Sequence, residues 1–161
     1  MPIIDHLKTR HGTLISALLL LGCLMLALRA TAATLSGRVI TVPDANRILI
    51  LTTDGRRLPV ALVGLASPPA VNKDWRKIGK RHLQMLLAGR TVTVDFKTRS
   101  KQGVILGEVL HGGADVGLRL LRSGLAVIDA KSPPPANLQS QYLKAAEEAR
   151  RRRMGFWQTI R

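Results

Sequence analysis

Val63-Gly64-Leu65-Ala66-Ser67-Pro68-Pro69 ends the first β-rich part of this chain, just ahead of an amphipathic helical pattern. Upstream, residues 34–42 and 47–53 are rich in β-branched residues, and the turn-forming run Pro43-Asp44-Ala45-Asn46 lies between them. Asp54-Gly55 marks a second turn. Residues 56–65 then return as a third strand, in which Pro59 restricts the first half to an edge or a bulge. The sequence therefore predicts a three-stranded meander that ends in this stretch.

The rest of the chain alternates between helical and strand periods. Apolar residues at mixed three- and four-residue spacings predict an amphipathic helix over 72–87, which Gly89 ends. The later elements are predicted as strands over 91–97 and 104–110, a short helix N-capped by Asp115 and ended by Gly124, an extension over 125–128, and a helix over 137–153 closing at Gly155. This order predicts a mainly β, α+β fold: a five-stranded OB-type barrel with about three helices.

The N-terminus has the pattern of a targeting segment. Lys8 and Arg10 precede an apolar run over 14–28, and the small residues at 30–33 follow it. The run is shorter than the roughly 20 residues that span a bilayer core. We therefore expect residues 1–33 to be a signal peptide or, alternatively, a hydrophobic helix kept as a membrane anchor, with the domain over 34–158 and a tail over 159–161. Either alternative predicts a periplasmic or other extracytoplasmic location.

Positive charge dominates the whole chain and also the domain. The chain carries 25 Lys and Arg against 10 Asp and Glu, a net charge of +15. Residues 1–33 hold three of the basic residues and one of the acidic ones, so +13 belongs to the domain. The only cysteine, Cys23, lies in the apolar run, which leaves the domain without a thiol for a disulfide, a metal or a nucleophile. This charge predicts an anionic partner.

Three landmarks in order resemble the staphylococcal nuclease (thermonuclease) family over about residues 34–158. They are the stretch over 63–69, Gly124-Leu125-Ala126, and the Ala-rich helix over 145–149 that runs into Gly155-Phe156-Trp157. In the family, the first stretch reads hydrophobic-Gly-Ile-Asp-Ala/Thr-Pro-Glu. The resemblance implies an OB-type barrel and, for active members, hydrolysis of phosphodiesters with Ca²⁺, a general-base Glu and two Arg.

The resemblance also implies where those groups should stand in this sequence. Asn46 and Ala66 occupy the positions of the two metal-binding Asp, Pro69 that of the general base, and Ala61 and Val104 those of the two Arg. We therefore expect no catalytic residue and no cofactor. If a nuclease activity remains, Ca²⁺ would be its cofactor, with Asp44 and Asn46 as weak candidate metal ligands.

Basic residues supply the remaining candidate site. The candidate anion-binding residues are Lys73, Arg76, Lys77, Lys80, Arg81, Lys101, Arg150, Arg151, Arg152 and Arg153. For each cluster the alternative is a solvated helix face or helix end. Glu147 and Glu148 are expected to pair with Arg150 to Arg152. His82 and His111 are expected to be ordinary surface or packing histidines rather than a zinc pair, and the five aromatic residues of the domain are expected in its core.

Together these expectations favour a catalytically degenerate binding or accessory module over an enzyme. Its expected partner is a protein or a membrane complex, with an anionic membrane surface as another possibility. The alternatives are a nucleic-acid-binding protein or a residual Ca²⁺-dependent phosphodiesterase. DNA binding would predict an affinity that falls steeply with salt, because phosphate contacts release counterions.

Overall fold

The computed structural model describes residues 33–69 and 74–160. The predicted signal peptide or anchor, the candidate Lys73 and the first residues of the predicted helix over 72–87 lie outside these ranges. Among the described helices, none is long and apolar enough to cross a membrane.

The first three strands form the predicted antiparallel meander. β1 spans Ala33–Asp44, β2 Arg47–Thr52 and β3 Arg57–Leu62. The first turn is shorter than predicted, because Asp44 pairs with Arg47 and only Ala45 and Asn46 remain between the strands. Pro43 lies within β1, where the pairing register shifts between Thr41 and Asp44. The irregular pairing explains how the strand holds a residue that has no N–H to donate.

Two later strands close the barrel. β5 (Thr91–Arg99) pairs antiparallel with β1, and β6 (Ile105–His111) pairs antiparallel with β5 and parallel with β3. The five long strands thus form a closed ring, which confirms the predicted OB-type barrel. The short strands are β4 (Leu65–Ala66), β7 (Ala114–Asp115) and β8 (Val127–Ile128). β4 pairs with β8, so the stretch over 63–69 is held by the predicted extension after Gly124.

In the described part of the chain, three α-helices cover the barrel. α1 spans Trp75–Leu87 with Asp74 as its N-cap, α2 spans Val116–Arg122, and α3 spans Ala136–Arg151. A 3-10 helix over Gly155–Thr159 follows. The predicted N-cap of α2 is confirmed, because the Asp115 carboxylate accepts hydrogen bonds from the N–H groups of Gly117 and Leu118.

The core lies inside the barrel and beneath the helices. Trp75, Tyr142 and Phe156 are buried, as predicted, while Phe96 and Trp157 are partly buried against the same cluster. Aromatic rings that fill the core are not free to stack on nucleic acid bases. The barrel and the helices fix the β1–β2 turn and the stretch over 63–69 beside α1, and the candidate site lies between these segments.

Candidate functional site

A groove of about 890 Å³ lies where the β1–β2 turn, the stretch over 63–69 and α1 meet. Asn46, Ala66 and Pro69 all line it. The structure thus brings together three of the five positions at which the family resemblance implies catalytic groups. The side-chain amide of Asn46 donates a hydrogen bond to the carbonyl oxygen of Leu65, at 2.9 Å, which ties the turn to β4.

The other two positions do not line the groove. Ala61 is buried in β3, opposite Arg47 of β2 and Leu106 of β6. Val104, half-buried just before β6, lines a neighbouring depression of about 360 Å³. This depression shares Pro43, Asp44 and Arg47 with the groove. Apolar side chains therefore stand at both of the positions where the family resemblance implies a phosphate-clamping Arg.

Asp44 carries a charge in the groove, but that charge already has a cationic partner. One carboxylate oxygen accepts a hydrogen bond from Arg76 Nε at 3.0 Å and the other from Arg76 Nη2 at 3.2 Å. The Ala45 N–H donates a third bond at 2.8 Å. Burial alone would raise the pKa of Asp44, but the hydrogen bonds from Arg76 and Ala45 and the charges of Arg76 and Arg47 outweigh it and lower the pKa. Asp44 is therefore ionised and neutralised in place.

Two further carboxylates line the groove. Asp74 caps α1 through the Lys77 N–H, and Asp129, just after β8, accepts a hydrogen bond from the Lys131 N–H. Asp129 could not be placed from the sequence alone, because its distance from Asn46 depends on the pairing of β4 with β8. Within residues 33–69 and 74–160, no three His, Cys, Asp or Glu side chains lie close enough together to hold a metal ion.

The two candidate histidines lie on different elements, His82 on α1 and His111 at the end of β6. His111 Nδ1 lies 3.3 Å from the carbonyl oxygen of Thr91. His82 is partly buried on α1, and burial, with a smaller contribution from the charge of Arg119, lowers the pKa of its imidazole.

Some of the candidate anion-binding residues line the groove and others do not. Arg76, Lys77 and Lys80 of α1 line the groove, and so does Arg47 of β2, which sequence reasoning missed. The position of Arg47 directly after the turn residue Asn46 could have indicated that it lies at the groove. Of the others, the described ones do not line the groove: Arg81 on α1, Lys101 in the β5–β6 turn, and Arg150 to Arg153 at the end of α3.

The basic end of α3 is partly engaged with its own chain. Arg152 Nη2 lies 2.9 Å from Glu148 Oε1, the helical pairing that the sequence predicted for this glutamate. The Arg150 guanidinium lies over the Trp157 ring, 5.9 Å from its centroid. Lys77 and Lys80 in the groove, by contrast, take part in none of the ion pairs found among residues 33–69 and 74–160.

Replacing Arg76 by alanine is expected to raise the pKa of Asp44, since burial remains while the guanidinium's bonds and charge are lost. The lowered pKa of wild-type Asp44 contributes stability that is present above about pH 4 and is lost as the pH falls through the folded-state pKa. The difference in the free energy of unfolding between wild type and Arg76→Ala should therefore shrink on acidification. Carboxyl NMR titration and unfolding at several pH values measure both effects. Arg81→Ala, an exposed change on the same helix, is the control, and an unchanged Asp44 pKa in Arg76→Ala would contradict the assignment.

Comparison with known proteins supports the architecture. A family model described as "Staphylococcal nuclease homologue" matches residues 59–159. Two curated relatives, from Escherichia coli and Escherichia coli O157:H7, both named "Uncharacterized endonuclease", are 30% identical over 128 residues, which is 78% of this chain and 78% of each relative. The matched region covers the stretch over 63–69, all three helices and the 3-10 helix.

Proposed function

The chain belongs to the staphylococcal nuclease homologue family, and we propose that its domain uses the nuclease-like fold as a non-catalytic module that binds an acidic partner. The proposal places the domain outside the cytoplasm, docked on a protein or a membrane complex. It involves no cofactor. The support comes from the charges in the groove and from the N-terminal sequence pattern.

The bidentate pair between Asp44 and Arg76 carries this proposal. Ca²⁺ prefers several oxygen ligands, usually including ionised carboxylates. At the implied metal positions the groove offers a neutral amide, Asn46, and a methyl group, Ala66, while both oxygens of Asp44 face a guanidinium. A metal ion at these positions would have to displace Arg76 before it gained Asp44 as a ligand.

The general base and the two Arg clamps have no replacement at their implied positions, because Pro69, Ala61 and Val104 cannot accept a proton or neutralise a phosphate. Removing one electrostatic donor from an active site commonly lowers the rate by about 10²- to 10³-fold. The coordinated loss of metal charge, base and clamps therefore argues against residual turnover.

The same groove remains suited to binding anions. Lys77 is exposed and Lys80 half-buried on α1, and the exposed Arg47 faces the same space from β2. The domain's net charge of +13 adds a long-range attraction for acidic surfaces. Binding by such exposed charges is expected to weaken as salt is raised.

The direct test incubates the full-length protein with fluorescent single-stranded DNA and Ca²⁺. We expect no cleavage above a buffer blank over the time in which an active family member digests the substrate completely. Cleavage that a chelator abolishes would overturn the proposal.

A Ca²⁺-dependent phosphodiesterase is the second candidate function. It is favoured by the name of the curated relatives and by the presence of Asp129 and Asp74 in the groove with Asp44. This candidate predicts chelator-sensitive cleavage that Asp129→Asn and Asp44→Asn each reduce. Glu147→Gln, an exposed change on α3, is the matched control.

A further inference from the structure

A second depression, of about 270 Å³, lies between strands β5 and β6 and the start of α3. It shares none of its lining residues with the groove. Most of its wall is apolar and comes from Val63, Phe96, Leu106, Pro135 and Leu138, while Asp95 and Glu108 contribute carboxylates. The depression is therefore an apolar space with negative charge beside it, on a chain whose net charge is +15.

The two acidic residues are directly opposite each other in the sheet. Asp95 of β5 pairs with Glu108 of β6 in the antiparallel register. Like charges at opposed positions destabilise a sheet, so this arrangement costs stability unless a cation lies between or beside them. The Thr34 hydroxyl donates a hydrogen bond to Asp95 Oδ1 at 2.6 Å, and no hydrogen bond to the other oxygen of Asp95 is found among residues 33–69 and 74–160.

In the described part of the chain, no side chain donates a hydrogen bond to Glu108 as Thr34 does to Asp95. Glu108 is half-buried and makes none of the side-chain hydrogen bonds or ion pairs found among residues 33–69 and 74–160. Lys97 also lines the depression, but it is exposed and takes part in none of those ion pairs. Burial raises the pKa of Glu108, and the charges of Asp115 and Asp95 raise it further. A cation supplied by another molecule would therefore stabilise the ionised carboxylate of Glu108.

We propose that this depression binds the side chain of an arginine from a partner protein. The planar guanidinium presents several donors in a fixed fork, which suits two carboxylates on neighbouring strands. It is more weakly hydrated than an ammonium, so it enters an apolar-walled space at lower cost, and its methylene stem can pack against Leu106 and Leu138. The ring of Phe96 already makes a cation–π contact within the chain. The Arg99 guanidinium lies 5.4 Å from its centroid, and Arg99 does not line the depression.

The site is separate from the groove in its residues, its charge and its partner chemistry. The groove is expected to attract acidic groups, and this depression a basic one. A partner that presents both signs of charge would engage the two faces together and would be held in one orientation, because each wrong pairing brings like charges together.

An NMR titration of the full-length protein tests the inference. The probes are N-acetyl-arginine-methylamide and its neutral counterpart N-acetyl-citrulline-methylamide, in which a urea replaces the guanidinium. We expect the arginine probe to give saturable shifts at Phe96, Leu106 and Leu138 and to bind at least about tenfold more tightly than the citrulline probe, as expected for hydrogen bonds to charged groups. Equal binding of the two probes would overturn the inference.

Two variants locate the binding. Glu108→Gln should weaken the arginine probe by about tenfold or more without unfolding the protein, because it removes a half-buried carboxylate with no described partner. Glu147→Gln, the same change at an exposed position of α3, should leave the affinity unchanged. If Glu108→Gln binds the arginine probe as tightly as wild type, the inference is wrong.

Two further measurements distinguish a protein side chain from a free cation, and this depression from the groove. If n-butylguanidinium binds but the capped arginine does not, the depression takes a free small cation and the assignment to a protein side chain is wrong. The double variant Lys77→Glu with Lys80→Glu, which alters only the groove, should bind the arginine probe as wild type does. The result is therefore independent of whether the groove binds an acidic partner.

Discussion

Gly124→Ala is expected to lower the free energy of unfolding by about 2 to 5 kcal/mol, the sum of left-handed backbone strain and overpacking. Gly124 has a φ of +64°, and a Cβ placed there would lie 2.1 Å from the carbonyl oxygen of Met154. The clash is with backbone and not with the flexible end of a side chain. The Phe156 N–H donates a hydrogen bond to the Gly124 carbonyl oxygen at 2.9 Å, so the two segments cannot separate without losing it.

The contact is reciprocal, because a Cβ on Gly155, whose φ is +52°, would lie 2.4 Å from the Ser123 carbonyl oxygen. Two glycines thus let the chain after α3 pack directly on the end of α2. Phe156 is buried next to this contact, so the displaced backbone would also disturb the core.

Gly89→Ala is the matched control. Gly89 also has a positive φ, +72°, and also ends a helix, but a Cβ there would meet nothing within 4 Å. Its substitution should cost only the backbone strain, about 1 to 2 kcal/mol. Urea unfolding of both variants measures the difference in their free energies of unfolding. That difference is the contribution of the close backbone contact at Gly124. If the two substitutions destabilise the protein equally, the close backbone contact at Gly124 adds nothing to the loss of stability.

Lys77→Glu combined with Lys80→Glu is expected to weaken binding to fluorescent poly-glutamate, a model acidic partner, by roughly 10- to 100-fold at low salt. Each reversal removes one favourable charge contact and adds an unfavourable one, and exposed contacts are worth about 0.2 to 1 kcal/mol each. The effect should diminish as salt screens the charges. Fluorescence anisotropy over a salt series measures both the affinity and its salt dependence.

The control variant changes the net charge by the same amount as the test variant, but at another face of the domain. Lys144→Glu with Arg151→Glu reverses two exposed charges on α3, and neither residue lines the groove. We expect it to change the affinity for poly-glutamate by less than about threefold, through long-range attraction alone. Equal losses in the two double variants would show that net charge, and not the groove, holds the acidic partner.

Much of the fold could be predicted because its signals are local. Strand alternation, turn residues and the Asp115 N-cap act over a few residues, and the structure confirms the barrel and its three helices. The first turn was predicted two residues too long, because Pro43 enters β1 through an irregular register that only its partner strand provides.

The candidate site was predictable only in part. The family resemblance indicated that Asn46, Ala66 and Pro69 belong together, and they line one groove. The pairing of Asp44 with Arg76 could not be predicted, because 32 residues separate them and the contact depends on how α1 packs beside the β1–β2 turn. Asp129 reaches the groove only because β8 pairs with β4.

The sequence by itself determined the class of fold and the basic charge, and the family resemblance predicted that the family's catalytic residue types are missing from their usual positions. The tertiary structure alone decided that Arg76 neutralises Asp44, that Asp95 and Glu108 face each other across two strands, and that Gly124 and Gly155 meet. The physical reason is the range of the interactions. Periodicity and capping act between near neighbours in the chain, whereas charge pairing and backbone contact depend on distances that exist only after the barrel closes.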